Sequence, residues 1–154
     1  MVGPQVRKYR LQKGWRQEQL ARAMQLALEQ GGLAPDTVGL VVAHGNGTRA
    51  SDASETAALR RVFGSALPPI TSFKWALGHS LAASATLDLV LALKALQRGI
   101  APGIATLNEL DPALAPLPVS AAPQQPRSDI ALVCSRGFGS MNVALLVKAG
   151  SPHL

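Results

Sequence analysis

Two of the chain's three histidines stand in short glycine-containing stretches that could do chemistry without a metal. In Val41-Val42-Ala43-His44-Gly45-Asn46-Gly47-Thr48, a histidine ends an apolar run and two glycines follow it. Layered α/β folds gather their chemistry at the carboxyl ends of strands, and glycine lets a ligand approach the backbone closely. In Lys74-Trp75-Ala76-Leu77-Gly78-His79, a lysine and a histidine are separated by a turn that leads into an apolar helix. A helix beginning near Ser80 would place His79 at its N-terminal end, where partial positive charge favours the neutral imidazole. A neutral imidazole donates one hydrogen bond to a carbonyl oxygen without carrying charge. A third stretch, Arg136-Gly137-Phe138-Gly139-Ser140-Met141-Asn142, holds an aromatic ring between glycines and suits a mobile ring over a pocket. Read singly, each has a plain alternative: polar turns around His44 and Lys74-His79, and a simple hairpin at Phe138.

These residues need elements to hold them. Leu20, Met24, Ala27 and Leu28 recur at helical spacing within 16–30, and Gly31-Gly32 supplies a stop. Val38–Ala43 reads as a buried strand. Ser51 or Asp52 can cap the helix that follows, with Glu55 three residues after Asp52 in capping-box position, and Gly64 ends it. Pro68–Phe73 predicts a second strand, and Ser80 to Arg98 a long apolar helix closed by Gly99. Prolines at 102, 112, 116, 118, 123 and 126 predict irregular structure with one short strand at most. Ile130–Cys134 and Asn142–Lys148 read as neighbouring buried strands joined by a tight glycine turn. Strands alternating with helices in this order predict an α/β layer fold.

At 154 residues, 47% hydrophobic and 16% charged, the chain is one globular domain with a core of its own. Aromatics are only 4%, so that core must be built from Leu, Val, Ile and Ala. Of the net charge of +6, most sits near the start: Arg7, Lys8, Arg10, Lys13, Arg16 and Arg22 face the single acid Glu18 within residues 1–22. Such a patch favours an acidic partner, or is a solvated arm. The lone Cys134 excludes a disulfide framework. The scattered histidines and cysteine match no familiar metal spacing, and His153 reads as a surface tail. Leu81–Leu96 is interrupted by Asp88 and Lys94, too short and too charged for a membrane span. With no signal peptide in the sequence, the expectation is a cytoplasmic protein.

Taken together, the three stretches resemble the C-terminal signatures of the β-ketoacyl-acyl-carrier-protein synthase (ketosynthase) family, HGTGT, KxxxGH and GFGG, in order and in register. Asp52-Ala53-Ser54-Glu55 falls where that family has D-A-x-E, Arg61-Val62-Phe63-Gly64 resembles its helix end, and Ile100-Ala101-Pro102 through Leu107 its A-P-x-x-x-x-L stretch. The likeness covers residues 14 to 148. It divides the chain into a basic arm (1–13), a ketosynthase C-terminal domain (14–150) and a tail (151–154).

The resemblance implies a thiolase-like α/β fold, of which this would be the C-terminal half only, layered helix–sheet–helix. It implies decarboxylative Claisen condensation of a malonyl carrier protein with an acyl thioester, in fatty acid or polyketide synthesis. His44 and His79 would be catalytic, hydrogen-bonding the thioester oxygen as enolate charge develops. Lys74 would organise His79, with Glu55 as its ion-pair partner and Asp52 in support. Thr48, with Gly137, Phe138 and Gly139, would meet the phosphopantetheine arm of the carrier protein, Phe138 as a gate. No permanent cofactor and no metal is implied. The family's nucleophilic cysteine lies in the other half; Cys134 does not match it and reads as a buried structural cysteine. The partners implied are an acyl carrier protein, the other ketosynthase half or a companion subunit, and a homo- or heterodimer.

Asn46 replaces a threonine of HGTGT, Ser140-Met141 replaces Gly-Thr, and Arg136 stands where the family often has phenylalanine, changes that bear on the gate or the acyl pocket. One alternative is a non-catalytic partner subunit of chain-length-factor type, or a remnant. A more remote one is DNA binding, since Gly14, Gln17, Glu18, Leu20 and Ala21 beside a basic stretch resemble the opening of a helix-turn-helix. That motif needs a recognition helix after a short turn, whereas here the helix runs on to Gln30 and meets a strand. No nucleic acid is expected.

Overall fold

The computed structural model describes the backbone of residues 4–150, and side chains from Gln17 onward except Ser140. Pro4–Gly31 is one helix, α1. The helix expected over 16–30 is therefore its second half, and the segment expected as a basic arm is helical from Pro4. Proline suits a first helical position, and the straight-chain residues after it carry the helix on. The side chains of Arg7, Lys8, Arg10, Lys13 and Arg16, like the 151–154 tail, lie outside the described residues. Gly32, at φ +61°, ends α1, and the Leu33 amide reaches back to the Leu28 carbonyl at 3.0 Å.

The elements that follow are β1 (Leu40–Val42), α2 (Arg49–Phe63), β2 (Ile70–Thr71), α3 (Lys74–Leu77), α4 (Ser84–Arg98), β3 (Ile130–Arg136) and β4 (Asn142–Lys148). The strands form one sheet in the order β2-β1-β3-β4, the first three parallel and β4 antiparallel. β2 is shorter than its apolar run because Pro68 and Pro69 have no amide to give the ladder. The long helix starts at Ser84 rather than Ser80, after a 3-10 turn at Leu81–Ala83. β4, expected buried, is an edge strand with Val143 and Leu145 exposed.

Side-chain alternation along the strands builds two cores. Val41, Leu132 and Cys134 face α1 and α2, where they meet Leu20, Met24, Leu28, Leu59 and Phe63. Leu40, Val42, Ala131 and Val133 face α4 and its Ala92, Ala95 and Leu96. The result is a helix–sheet–helix layering of the thiolase-like kind. Alanine on α4 lets that helix lie close to the sheet. The proline-rich return from α4 is irregular, with an isolated bridge between Ala101 and Gln124. It is held by Arg60, whose Nη2 donates to the Leu114, Ala115 and Pro116 carbonyls at 2.8, 2.7 and 3.3 Å. Because β1, β2 and β3 are parallel, their carboxyl ends share one edge, and each of the three sequence stretches leaves from it.

Candidate active site

His44 leaves β1 and is buried, with 3% of its surface exposed. Glu55, in the second turn of α2 and also buried, holds the backbone there: its Oε1 accepts the His44 amide at 2.8 Å and its Oε2 the Gly45 amide at 3.0 Å. Glycine is required at 45 twice over. Its φ is +41°, and a Cβ would meet Ser72 Cβ and Oγ at 2.8 Å. The capping expected of Ser51 or Asp52 is not found. α2 begins one turn earlier, with Thr48 as its N-cap residue, because Asn46 folds the loop ahead of it: Asn46 Oδ1 accepts from the Thr48 amide and hydroxyl at 3.0 and 2.9 Å. Glu55 thus serves the β1–α2 loop rather than a capping box. Asp52 takes a backbone hydrogen bond from Gly47, while its Oδ1 is buried without one. Burial raises its pKa, against that hydrogen bond and Arg136.

The pairing expected between Lys74 and Glu55 is also not found. Lys74 Nζ pairs with Asp88 Oδ2 on α4 at 2.6 Å, both side chains buried. Glu55 is spent on the two loop amides, and α4 brings the nearer carboxylate. Gly78, at φ +71°, then turns the chain so that His79 comes back to His44. The two rings lie edge to face, centroids 5.3 Å apart at 77°. His79 is exposed, as is every residue from Trp75 to Ala83. It stands five residues ahead of α4, farther from a helix end than the sequence implied.

The hydrogen bonds at the two Nδ1 atoms fix which nitrogen carries the proton. The Arg136 amide donates to His44 Nδ1 at 3.3 Å, and the Leu81 amide donates to His79 Nδ1 at 3.1 Å. In a neutral imidazole an accepting Nδ1 leaves the proton on Nε2. Burial, then the charges of Lys74, His79 and Arg136, lower the His44 pKa to about 4, so His44 is neutral at neutral pH. Both rings thus offer an Nε2–H donor with no formal charge on His44.

Thr48 is exposed at the start of α2. Phe138 lies in a 3-10 turn after β3 and is 89% exposed; Gly137 is extended, and Gly139 has φ +67°. Cys134 is buried in β3, its thiol pKa pushed well up by burial and then by Glu55. Asp88 and Arg136 complete the constellation, and the sequence reading did not place either in it. Asp88 had a signal: an acid inside an otherwise apolar helix needs a buried cation. Among the described residues no three His, Cys, Asp or Glu side chains gather as a metal site, and no helix is long and apolar enough to cross a membrane.

Residues 12–108 match the family described as "Beta-ketoacyl synthase, C-terminal domain". The chain is 38% identical over 128 residues to the tetracenomycin polyketide synthase ketoacyl synthase beta subunit of Streptomyces glaucescens, covering 83% of this chain and 31% of that one. Among solved structures it superposes on the ishigamide ketosynthase/chain length factor with a TM-score of 0.83 and 30% identity, over 88% of this chain and 34% of that chain. A chain from the solved structure of a type II polyketide synthase acyl-carrier protein in complex with its ketosynthase bound to the hexaketide matches with a TM-score of 0.80 and 25% identity, over 86% of this chain and 33% of that chain. The chain therefore spans about a third of the length of these relatives.

Proposed function

Because this chain belongs to the beta-ketoacyl synthase family, spanning its C-terminal domain, we propose that it supplies the decarboxylating half of a condensing enzyme. The observation that carries this reading is the His44–His79 pair, with both Nδ1 atoms engaged by backbone amides and both Nε2–H groups left to donate. A malonyl thioester placed with its carbonyl oxygen between the rings would be polarised by two donors. As the bond to the carboxylate breaks and CO₂ leaves, the electron pair moves onto that oxygen as an enolate. Two preorganised donors at a developing oxyanion contribute about 3 kcal/mol each. The enolate carbon then attacks an acyl thioester, and the new C–C bond is completed as the C–S bond breaks and the thiolate leaves. Burial first, and then the charge of Lys74 held against Asp88, keep His44 neutral.

The acyl group must be carried by a cysteine outside these 154 residues. Cys134 is buried in a strand with its thiol pKa raised, which suits a structural residue and not a nucleophile. The reading therefore calls for a companion half or subunit that brings the nucleophile, in a homo- or heterodimer. Thr48, Gly137, Phe138 and Gly139 flank the approach from which the phosphopantetheine arm of an acyl carrier protein would enter. The surplus of basic residues suits an acidic carrier.

One observation favours a second reading. The Streptomyces relative is a beta subunit, so the chain could belong to a companion subunit that shapes the product while another performs the chemistry. One assay separates the two. Mixed with a cysteine-bearing ketosynthase half and malonyl carrier protein, this chain should support CO₂ release, and His44→Ala or His79→Ala should each lower it roughly a hundredfold. Unchanged release in both variants would favour the companion reading. β-Ketoacyl product from this chain alone would overturn the external nucleophile.

A further inference from the structure

Arg136 ends β3 at a place where the ketosynthase resemblance implies phenylalanine, and its side chain makes contacts no aromatic ring can make. The guanidinium reaches α2: Nη1 donates to the Ser51 carbonyl at 2.9 Å and to Ser51 Oγ at 3.2 Å, and Nη2 donates to Ser54 Oγ at 3.3 Å. The backbone amide of the same residue donates to His44 Nδ1 at 3.3 Å. One residue thus touches both the ring of His44 and the helix whose Glu55 holds the His44 and Gly45 amides.

Its charge falls where the loop needs it. Glu55 is buried, and burial raises its pKa; the Gly45 and His44 amides and the Arg136 cation oppose that, while Asp52 adds to it. Cys134, on β3, also stands beside Glu55. Around the His44 ring stand Lys74, His79 and Arg136. A carboxylate accepts two amides with charge-assisted bonds, whereas a protonated carboxyl has a weaker hold and one oxygen turned donor.

We propose that Arg136 is a positioning residue for His44, fixing the ring through its backbone amide and keeping Glu55 an acceptor of both loop amides through its guanidinium. Its purpose, a steady aim of Nε2–H at the reacting oxygen, rests on the decarboxylation reading. The positioning itself does not, and it is measured without substrate.

The test is NMR titration of the intact chain, reading the Glu55 carboxyl carbon and the His44 ring nitrogens in wild type, Arg136→Met and Arg136→Lys. In Arg136→Met, Glu55 should titrate higher than in the wild type, and His44, whose amide donor at 136 is kept but no longer tied to α2 by a guanidinium, should pass from a single Nε2–H tautomer to a mixture. Arg136→Lys, which keeps the charge but not the fork onto Ser51 and Ser54, should restore most of the Glu55 titration. A folded Arg136→Met with both signals unchanged overturns the proposal. Should that variant not fold, Ser54→Ala, which removes one acceptor of the fork, should move both signals in the same direction, and no movement there overturns it equally. In the complex with a cysteine-bearing half, Arg136→Met should release CO₂ roughly tenfold to a hundredfold more slowly. NMR changes in a complex that releases no CO₂ would support the positioning and count against the functional reading alone.

Discussion

His44 is buried at the meeting of three groups that oppose its protonation: Lys74, His79 and Arg136. Its pKa in the fold, about 4, lies below the 6.5 of an unfolded chain. Between those two values the unfolded chain binds a proton that the fold refuses, so this histidine makes stability rise with pH across that window and fall as pH drops through it. Urea melts should show that slope in the wild-type chain, and His44→Gln should flatten it; equal slopes in both would remove His44 as the source. Lys74 and Asp88 make a second prediction. Lys74→Met strands a buried carboxylate and should cost about 3–5 kcal/mol, much of it regained in Lys74→Met/Asp88→Leu. Denaturant midpoints of the two variants check this, and a double variant no more stable than the single would refute it. The two histidines could be found in sequence because motif spacing names them directly. Their electrostatic partners could not. Glu55 sits at capping-box spacing, yet its carboxylate is taken by amides upstream, and Lys74 finds its counter-ion on a different helix. Local spacing does not encode such pairings.

At the scale of elements, the site depends on two connections whose backbones are unusual. Between β1 and α2, Gly45 combines positive φ with contact against Ser72. Gly45→Ala should therefore destabilise the chain by about 1–3 kcal/mol and loosen the Glu55 clamp, with Ser72→Gly recovering part of the loss. Thermal melts of the single and double variants measure it; a Gly45→Ala melt like that of the wild type would refute the requirement. Between α3 and α4, Leu81 takes φ +51°, a conformation that costs a branched residue about 1–2 kcal/mol, and its amide reaches His79 Nδ1. The order of the longer helices and the strands was readable from helical spacing and apolar runs, though the short α3 was not. Their ends were not. Prolines shorten β2 and a 3-10 turn delays α4, and both follow from backbone hydrogen bonding that a hydrophobic pattern does not report.

For the molecule as a whole, the histidine pair lies at a boundary. Behind it the core is closed: β1 and β3 are covered by helices on both faces. In front, the chain from Trp75 to Ala83 is wholly exposed, and Phe138 and Met141 stand out at 89% and 67%. Among the described residues β4 is the last strand of the sheet, with Val143 and Leu145 exposed. Exposed apolar side chains near a polar pair suit a surface that the proposed companion half would cover. A cysteine-bearing half docked there would dry the site and strengthen both Nε2–H donors, since a lower local dielectric strengthens hydrogen bonds to a developing charge. Hydrogen exchange tests this placement directly. On adding the companion half, amides in 75–83 and 137–141 should slow by at least about tenfold, while the solvent-facing turns of α1 and α2 keep their rates. Protection confined to the solvent-facing turns of α1 and α2 would put the partner away from the sheet edge at which the histidines stand, and the condensing reading would fall with it.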